Sequence, residues 1–390
     1  MPVSFKRGVY HFNEERNFDF QLNRIIMWDG GRIEDIVPIS QKIHNSETWK
    51  TELIKLGEQA EEEGRTENAI AYYRMSEFFM YDGDPDKKKY YKKATDMFYE
   101  FYREYFTNGT VEQFQVSYEE VKLPVMHVKP VGERKDIILL HGGNDSYYEE
   151  FFFPMLYLAE NGFEVYLFEG PGQGGVMRLQ GKHFTHEWEK PVKAILDYFH
   201  LEDVTIIGAS LGGMLAPRAA AFEKRISRVI AWSVFPNFQE VILGGPTIED
   251  KKQMKLVQFC IRFRLKGLIN LAMEKAAKKS EVIRWGLRHG MYAYEADSAY
   301  DYAVKMDRYQ MIDVADQITQ DVLIAGASKD HFIDYKTVSE EIDALTNVRS
   351  LTFRLFTEKE DACNHCNCGN VKLTFDTFMN WIMQMKANNR

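Results

Sequence analysis

Five short apolar runs, at 137–140, 163–168, 204–207, 226–232 and 322–325, recur along the chain, with a further strand pattern at 348–356, most of them separated by helix-compatible segments. Runs without polar alternation mark strands covered on both faces, the situation of parallel strands. Strand and helix taking turns therefore predict a doubly wound, mostly parallel α/β sheet. Helices are expected near 151–161, 188–199 and 211–222, with a closing helix over 371–385. Between 114 and 131 the pattern alternates instead and predicts two short strands.

Two segments break this rhythm. From about 15 to 108 the chain reads as successive helices: Leu53, Leu56 and Ala60 share a face, and Ala69, Tyr72, Tyr73 and Phe79 continue the helical period after Gly64. The pattern looks like one tetratricopeptide hairpin, but it does not recur often enough for a solenoid. Tyr90, Tyr91, Phe98, Tyr99, Phe101, Tyr102, Tyr105 and Phe106 crowd its end and read as core or interface, with a few available to line a pocket. The second break, 236–317, is helical and rich in Met, Phe, Leu and Tyr. An insertion at that point lands over the C-terminal strand ends, where sites form, so it reads as a cap. Its basic patch, Arg262, Arg264 and Lys266, reads as the cap's solvated face. The expected organisation is a helical region over the site (1–110), the first part of the core (111–235), the cap (236–317) and the second part of the core (318–390).

A chain of 390 residues accommodates one core domain with a cap. Its net charge of −9 lacks the basic excess of a nucleic-acid binder. The start of the chain runs into Lys6 and Arg7 rather than an apolar core, so no signal peptide is expected, and charges interrupt every apolar run before membrane-spanning length. Four cysteines, three of them within 363–368, do not form a disulfide framework, and a cytoplasmic location is expected.

Ser210 directly follows the run at 204–207, in Gly208-Ala209-Ser210-Leu211-Gly212. This is a G-x-S-x-G at a strand-to-helix junction, where the turn is so tight that the serine backbone is strained and flanking side chains would clash. The motif alone is weak. The β-branched run before it and the alanine-bearing helical stretch after it favour a nucleophile over a plain tight turn.

A serine hydroxyl needs a base, and the base needs an orienting carboxylate. In a parallel sheet these belong on loops after later strands, in the order serine, acid, histidine. Asp330 follows the run ending at Ala325, and His365 lies in the loop after the run ending at Phe356. A helix cap is the plainer role open to Asp330, with Asp334 and His331 as local competitors, and a surface loop is the plainer place for His365. Backbone N–H groups must also face a developing oxyanion. Leu211 is expected to supply one, and the loop His141-Gly142-Gly143-Asn144-Asp145 the other, through Gly143 or Asn144.

Cys363, His365, Cys366 and Cys368 are potential zinc ligands, but six contiguous residues hardly wrap a tetrahedral ion, and no metal is expected. His183, His186 and Glu187 lack H-E-x-x-H spacing. The Gly-rich stretch 169–175 lacks the P-loop lysine and reads as a turn bordering the pocket. No cofactor is expected.

With these residues in hand, the chain resembles the α/β-hydrolases. Within them it is similar to the group containing 2,6-dihydroxypseudooxynicotine hydrolase, the fungal polyketide-shortening hydrolases and FrsA-like proteins, often labelled acylaminoacyl-peptidase-like. Three motifs carry the likeness: Gly142-Gly143-Asn144-Asp145-Ser146 with Glu149, Glu150 and Phe151, the segment 208–213, and 362–370 with His365-Cys366 and Gly369-Asn370. The group usually has a larger apolar residue at the position of Asn144, and Cys363 and Cys368 are extra to its pattern.

The resemblance implies Ser210 as nucleophile, Asp330 as acid and His365 as base of a serine hydrolase working through an acyl-enzyme. Its substrate would be an ester, an amide or a C–C bond next to a ketone. The last would need a further acid or base, for which Glu240 at the cap entrance is the candidate. The expected partner is a medium-sized, partly aromatic carbonyl compound, with homodimerisation left open and neither nucleic acid nor membrane. The alternative is a non-enzymatic binding or regulatory protein on the same scaffold, using the N-terminal hairpin as its partner surface.

Overall fold

The computed structural model describes residues 3–28, 30–241 and 251–388. The N-terminal region holds α1 (Arg16–Met27), α2 (Ile33–Ser40), α3 (Ser46–Glu62), α4 (Thr66–Ser76), α5 (Pro85–Phe101) and α6 (Arg103–Thr107). Asn45 caps α3 by accepting from the Thr48 N–H, and Pro85 opens α5, where a missing N–H costs nothing. These helices bury their own aromatic cluster, including Phe18, Trp49, Tyr72, Tyr73 and Phe79, which continues into Tyr147 and Trp285.

The sheet follows. Its elements are β1 (Glu112–Tyr118), β2 (Val121–Val128), β3 (Asp136–His141), α7 (Phe152–Glu160), β4 (Phe163–Phe168), α8 (Gly174–Arg178), α9 (Glu189–Phe199), β5 (Val204–Ala209), α10 (Gly212–Phe222) and β6 (Ile226–Trp232). Next come α11 (Lys251–Arg262), α12 (Lys266–Lys279), α13 (Glu281–Ala293) and α14 (Ala299–Met306), within the expected cap, of which 242–250 lie outside the described residues. The chain then completes the sheet with β7 (Asp321–Ala327), α15 (Val338–Ala344), β8 (Ser350–Phe356) and α16 (Val371–Asn388).

The eight strands lie in the order β1-β2-β4-β3-β5-β6-β7-β8. β1 and β2 pair antiparallel, β2 meets β4 antiparallel, and every later pairing is parallel. Alternate residues of each strand feed opposite cores, as a period of two requires. Leu139, Ile206 and Val229 pack beneath α9 and α10, while Ile138, Leu140, Ile207 and Ile230 pack beneath α7 and α16. This is the doubly wound sheet expected. No helix among the described residues is long and apolar enough to cross a membrane.

β3 and β7 each start one residue before the expected apolar run, on a buried aspartate that conceals the strand's start. Asp136 shows why a charge is tolerated there. Its carboxylate accepts from Arg228 (3.0 Å), Lys386 (2.6 Å) and Thr205 (2.5 Å), so it is both paired and hydrogen-bonded. Asp136→Ala is expected to destabilise the protein by about 3 kcal/mol, the lower end for breaking a buried pair, because Asp203 still faces Arg228. Urea denaturation reads this, and an unchanged midpoint would contradict it.

Candidate active site

Ser210 sits one residue past the end of β5, with a backbone φ of +58°, a region side-chain-bearing residues rarely occupy. The surrounding backbone enforces it. A Cβ on Gly208 would stand 2.2 Å from the Gly212 carbonyl oxygen, so only glycine lets β5 turn so sharply into α10. The Ser210 N–H donates to the Trp232 carbonyl at 3.0 Å, tying the turn to the end of β6.

His365 lies in the loop after β8, and that loop is pinned to the same strand end. Cys366 and Asn367 are both left-handed, with φ of +49° and +53°. The Trp232 indole N–H donates to Asn367 Oδ1 at 2.9 Å. His365 is 5% exposed, with its ring beside Phe20 and Phe332. Its Nε2 is 2.8 Å from Ser210 Oγ, and its Nδ1 is 2.7 Å from Asp330 Oδ2. Asp330 follows β7 and spends its other oxygen on the N–H groups of Phe332 (2.9 Å) and Ile333 (3.2 Å), which fixes the carboxylate plane.

Electrostatics follow from burial and pairing. Burial alone would lower the His365 pKa, but the Asp330 carboxylate overrides it and raises the imidazole well above its ordinary value. Burial works to raise Asp330, and His365 outweighs it, leaving the carboxyl lowered. The local competitors stand apart. His331 packs against Phe20 and Phe332, and burial pushes its pKa down to about 3. Asp334 accepts from the Lys336 N–H and caps the short turn that follows.

The 141–145 loop runs against the serine turn. A Cβ on Gly143 would lie 2.6 Å from the Leu211 nitrogen and 2.8 Å from Ser210 Cβ, so glycine is needed for this close approach. The Gly143 N–H donates to Ser146 Oγ at 2.9 Å. Among the described residues, the N–H groups of Leu211 and Asn144 have no hydrogen-bond acceptor. The Asn144 side chain accepts from Tyr294 OH at 2.7 Å.

Sequence reasoning missed Gln173, whose amide donates to the carbonyls of Gly142 (2.8 Å) and Gly143 (3.1 Å) and so holds the loop in place. Its position in the Gly-rich stretch 169–175 was the one available signal.

Two cavities flank Ser210 and His365. A small one, about 60 Å³, is walled by α1 through Phe20, Gln21 and Arg24, with Trp28 just beyond, and by Glu150. Arg24 Nε donates to Glu150 Oε2 at 2.9 Å, and Arg24 Nη2 donates to the Asp145 carbonyl at 3.0 Å. The larger cavity, about 230 Å³, lies against α12, α13 and α14 and is lined by Phe235, Phe238, Met273, Leu287 and Tyr302 among others. Glu240 is half-buried and lines neither cavity.

The comparisons agree with this architecture. A family model described as the alpha/beta hydrolase fold matches residues 136–368. The chain is 26% identical over 347 residues to hydrolase acrC of Aspergillus aculeatus, covering 79% of this chain and 77% of that protein. It is 24% identical over 388 residues to hydrolyase poxO of Penicillium oxalicum, covering 87% and 90% respectively. The solved structure of 2,6-dihydroxy-pseudo-oxynicotine hydrolase shares the fold, with a TM-score of 0.62 at 18% identity over 93% of this chain and 94% of the other. A sheet of this order, a serine on the sharp turn after β5 and a family match spanning both halves of the core lead to one conclusion: the chain belongs to the alpha/beta hydrolase fold family.

Proposed function

We propose that the chain is a serine hydrolase that cleaves the ester or amide bond of a medium-sized, partly aromatic carbonyl compound through an acyl-enzyme on Ser210. One observation carries this reading: a single imidazole lies 2.8 Å from the serine hydroxyl and 2.7 Å from a buried carboxylate. In this reading the Ser210 hydroxyl donates to His365 Nε2, and the His365 Nδ1–H donates to Asp330. Ser210 Oγ attacks the carbonyl carbon while His365 takes its proton, and Asp330 stabilises the imidazolium that forms. Collapse of the tetrahedral intermediate passes that proton to the leaving group. Water then repeats the sequence on the acyl-enzyme.

The oxyanion needs two donors, and the N–H groups of Leu211 and Asn144 fit the role. The Gly143 N–H is occupied by Ser146, so of the two residues left open by the sequence, Asn144 is the one proposed. Gly143→Ala is expected to lower kcat by about 10²–10³-fold, because the new methyl must displace the backbone beside Leu211. A kcat equal to wild type would remove this loop from the mechanism.

The cavities suggest the substrate's shape: a bulky apolar portion towards the cap and a small group beside Arg24 and Glu150. C–C cleavage next to a ketone would call on Glu240, which stands outside both cavities, so an ester or amide is the reading put forward. An ester panel varying each side separately, run beside a β-diketone panel, tests this. The expected best substrates combine one large, partly aromatic group with one small group. Turnover of diketones without turnover of esters would replace the proposal.

A further inference from the structure

The outer surface of the cap carries a feature that the site around Ser210 does not use. α11 is apolar on two sides. Val257, Cys260 and Ile261 turn inward and form a small core with Ile269, Met273 and Tyr300. Leu256, Phe259 and Phe263, spaced three and four residues apart, form a second stripe that is 64%, 51% and 56% exposed. On α12, which follows after a short turn, Leu268 and Leu271 are 57% and 50% exposed. The rings of Phe259 and Phe263 meet at 4.6 Å, and the Arg262 guanidinium lies over Phe263. A helix with apolar residues on both sides is ordinarily covered on both. Large apolar side chains grouped on a surface mark an interaction site.

The charge around this stripe says what covers it. α11, α12 and the turn between them, residues 251–279, carry nine Lys and Arg against one Glu, a net +8 in a chain whose total is −9. Lys255, Arg262, Arg264 and Lys266 are exposed, and among the described residues no ion pair engages them. Protruding Phe and Leu bordered by Lys and Arg is the pattern of helices that lie in the interface of an anionic bilayer. A second copy fits less well, because a two-fold contact through this face would set one strongly basic surface against another.

We propose that the α11–α12 hairpin docks on an anionic lipid surface. Phe259, Phe263, Leu256, Leu268 and Leu271 enter the boundary between headgroups and acyl chains, and Arg262, Arg264 and Lys266 meet lipid phosphates. The association is peripheral, and it revises both the reading of the basic patch as a solvated face and the expectation of no membrane partner. It does not depend on what Ser210 does.

Sedimentation of the full chain with vesicles of phosphatidylglycerol, and separately of phosphatidylcholine, tests the proposal. The protein is expected to sediment with the first and not the second, and less as salt rises. Replacing Arg262 and Arg264 together by Gln is expected to weaken partitioning roughly thirtyfold, about 1 kcal/mol per charge near such a surface. Phe259→Ser combined with Phe263→Ser is expected to release the protein from vesicles. Both double variants are expected to keep the wild-type melting temperature, the fold control, so the outcome is separate from any result on hydrolysis. Failure of the wild type to bind phosphatidylglycerol overturns the proposal, as does undiminished binding by the variants. A wild-type dimer in analytical ultracentrifugation that the Phe variant converts to monomer, with no vesicle binding, also overturns it and assigns the stripe to a second copy.

Discussion

Ser210→Ala is expected to lower turnover by roughly 10⁶-fold, the scale seen when the nucleophile of a serine–histidine–acid set is removed. The loss is large because the remaining groups have nothing to activate. His365 would still sit against Asp330, and the loop donors would still face the carbonyl, but no acyl-enzyme could form. A residual rate of roughly 10³–10⁴ over water would remain from binding and oxyanion stabilisation. Losing a small hydroxyl is expected to leave the tight turn after β5 unchanged, since Gly208 permits the close approach of the Gly212 carbonyl. An unchanged circular dichroism spectrum and melting temperature would show that the loss is chemical. A variant retaining more than a few per cent of wild-type kcat would place the nucleophile elsewhere.

Asp330→Asn is expected to cost roughly 10⁴-fold in kcat. The oxygen of the introduced amide could still accept from the N–H groups of Phe332 and Ile333, so the loop after β7 would keep its shape. The amide nitrogen would face His365 Nδ1 with a donor, forcing the ring proton onto Nε2, where it can no longer accept from Ser210. The pH profile should move as well. In the wild type His365 is raised by Asp330, so kcat/KM is expected to fall on the acid side through a midpoint above the ordinary histidine value near 6.5. Without the carboxylate that midpoint is expected at lower pH. An unchanged acid limb would show that Asp330 does not act on the imidazole.

The same pair links activity and stability with opposite signs. His365 has a raised folded pKa, so its contribution to stability is full below about 6.5 and is lost as pH rises through the folded value. Asp330 has a lowered folded pKa, so its contribution is present above about 3.8 and is lost as pH falls through the folded value. The pair therefore stabilises most in the mildly acidic range, where the histidine is protonated and activity is expected to be falling.

Much of the fold could be read from periodicity because the central strands of a doubly wound sheet appear in the sequence as apolar runs, and the outer strands β1, β2 and β8 as alternation. The placement of Ser210, Asp330 and His365 was legible for the same reason, since each follows the C-terminal end of a strand. Strand starts were less legible at Asp136 and Asp321, where a buried charge replaces the expected apolar residue. Which side chains line the two cavities was not legible. Phe20, Arg24 and Trp28 reach the smaller one because α1 and the residue after it pack against Asp145, Glu150, Phe151 and Trp232, and nothing local to α1 encodes that docking. Gln173 escaped notice because its role depends on two carbonyls about thirty residues away in the chain. The proposal of Asn144 over Gly143 rests on a side chain, Ser146 Oγ, whose direction no spacing rule supplies.

The central claim is that His365 and Asp330 make the Ser210 hydroxyl nucleophilic. Incubating the protein with a fluorophosphonate probe and locating the adduct by peptide mass spectrometry tests this most directly. The account predicts one adduct, on the peptide containing Ser210, absent in Ser210→Ala and formed far more slowly in His365→Gln. An unlabelled wild type, or an adduct on any other residue, would contradict it.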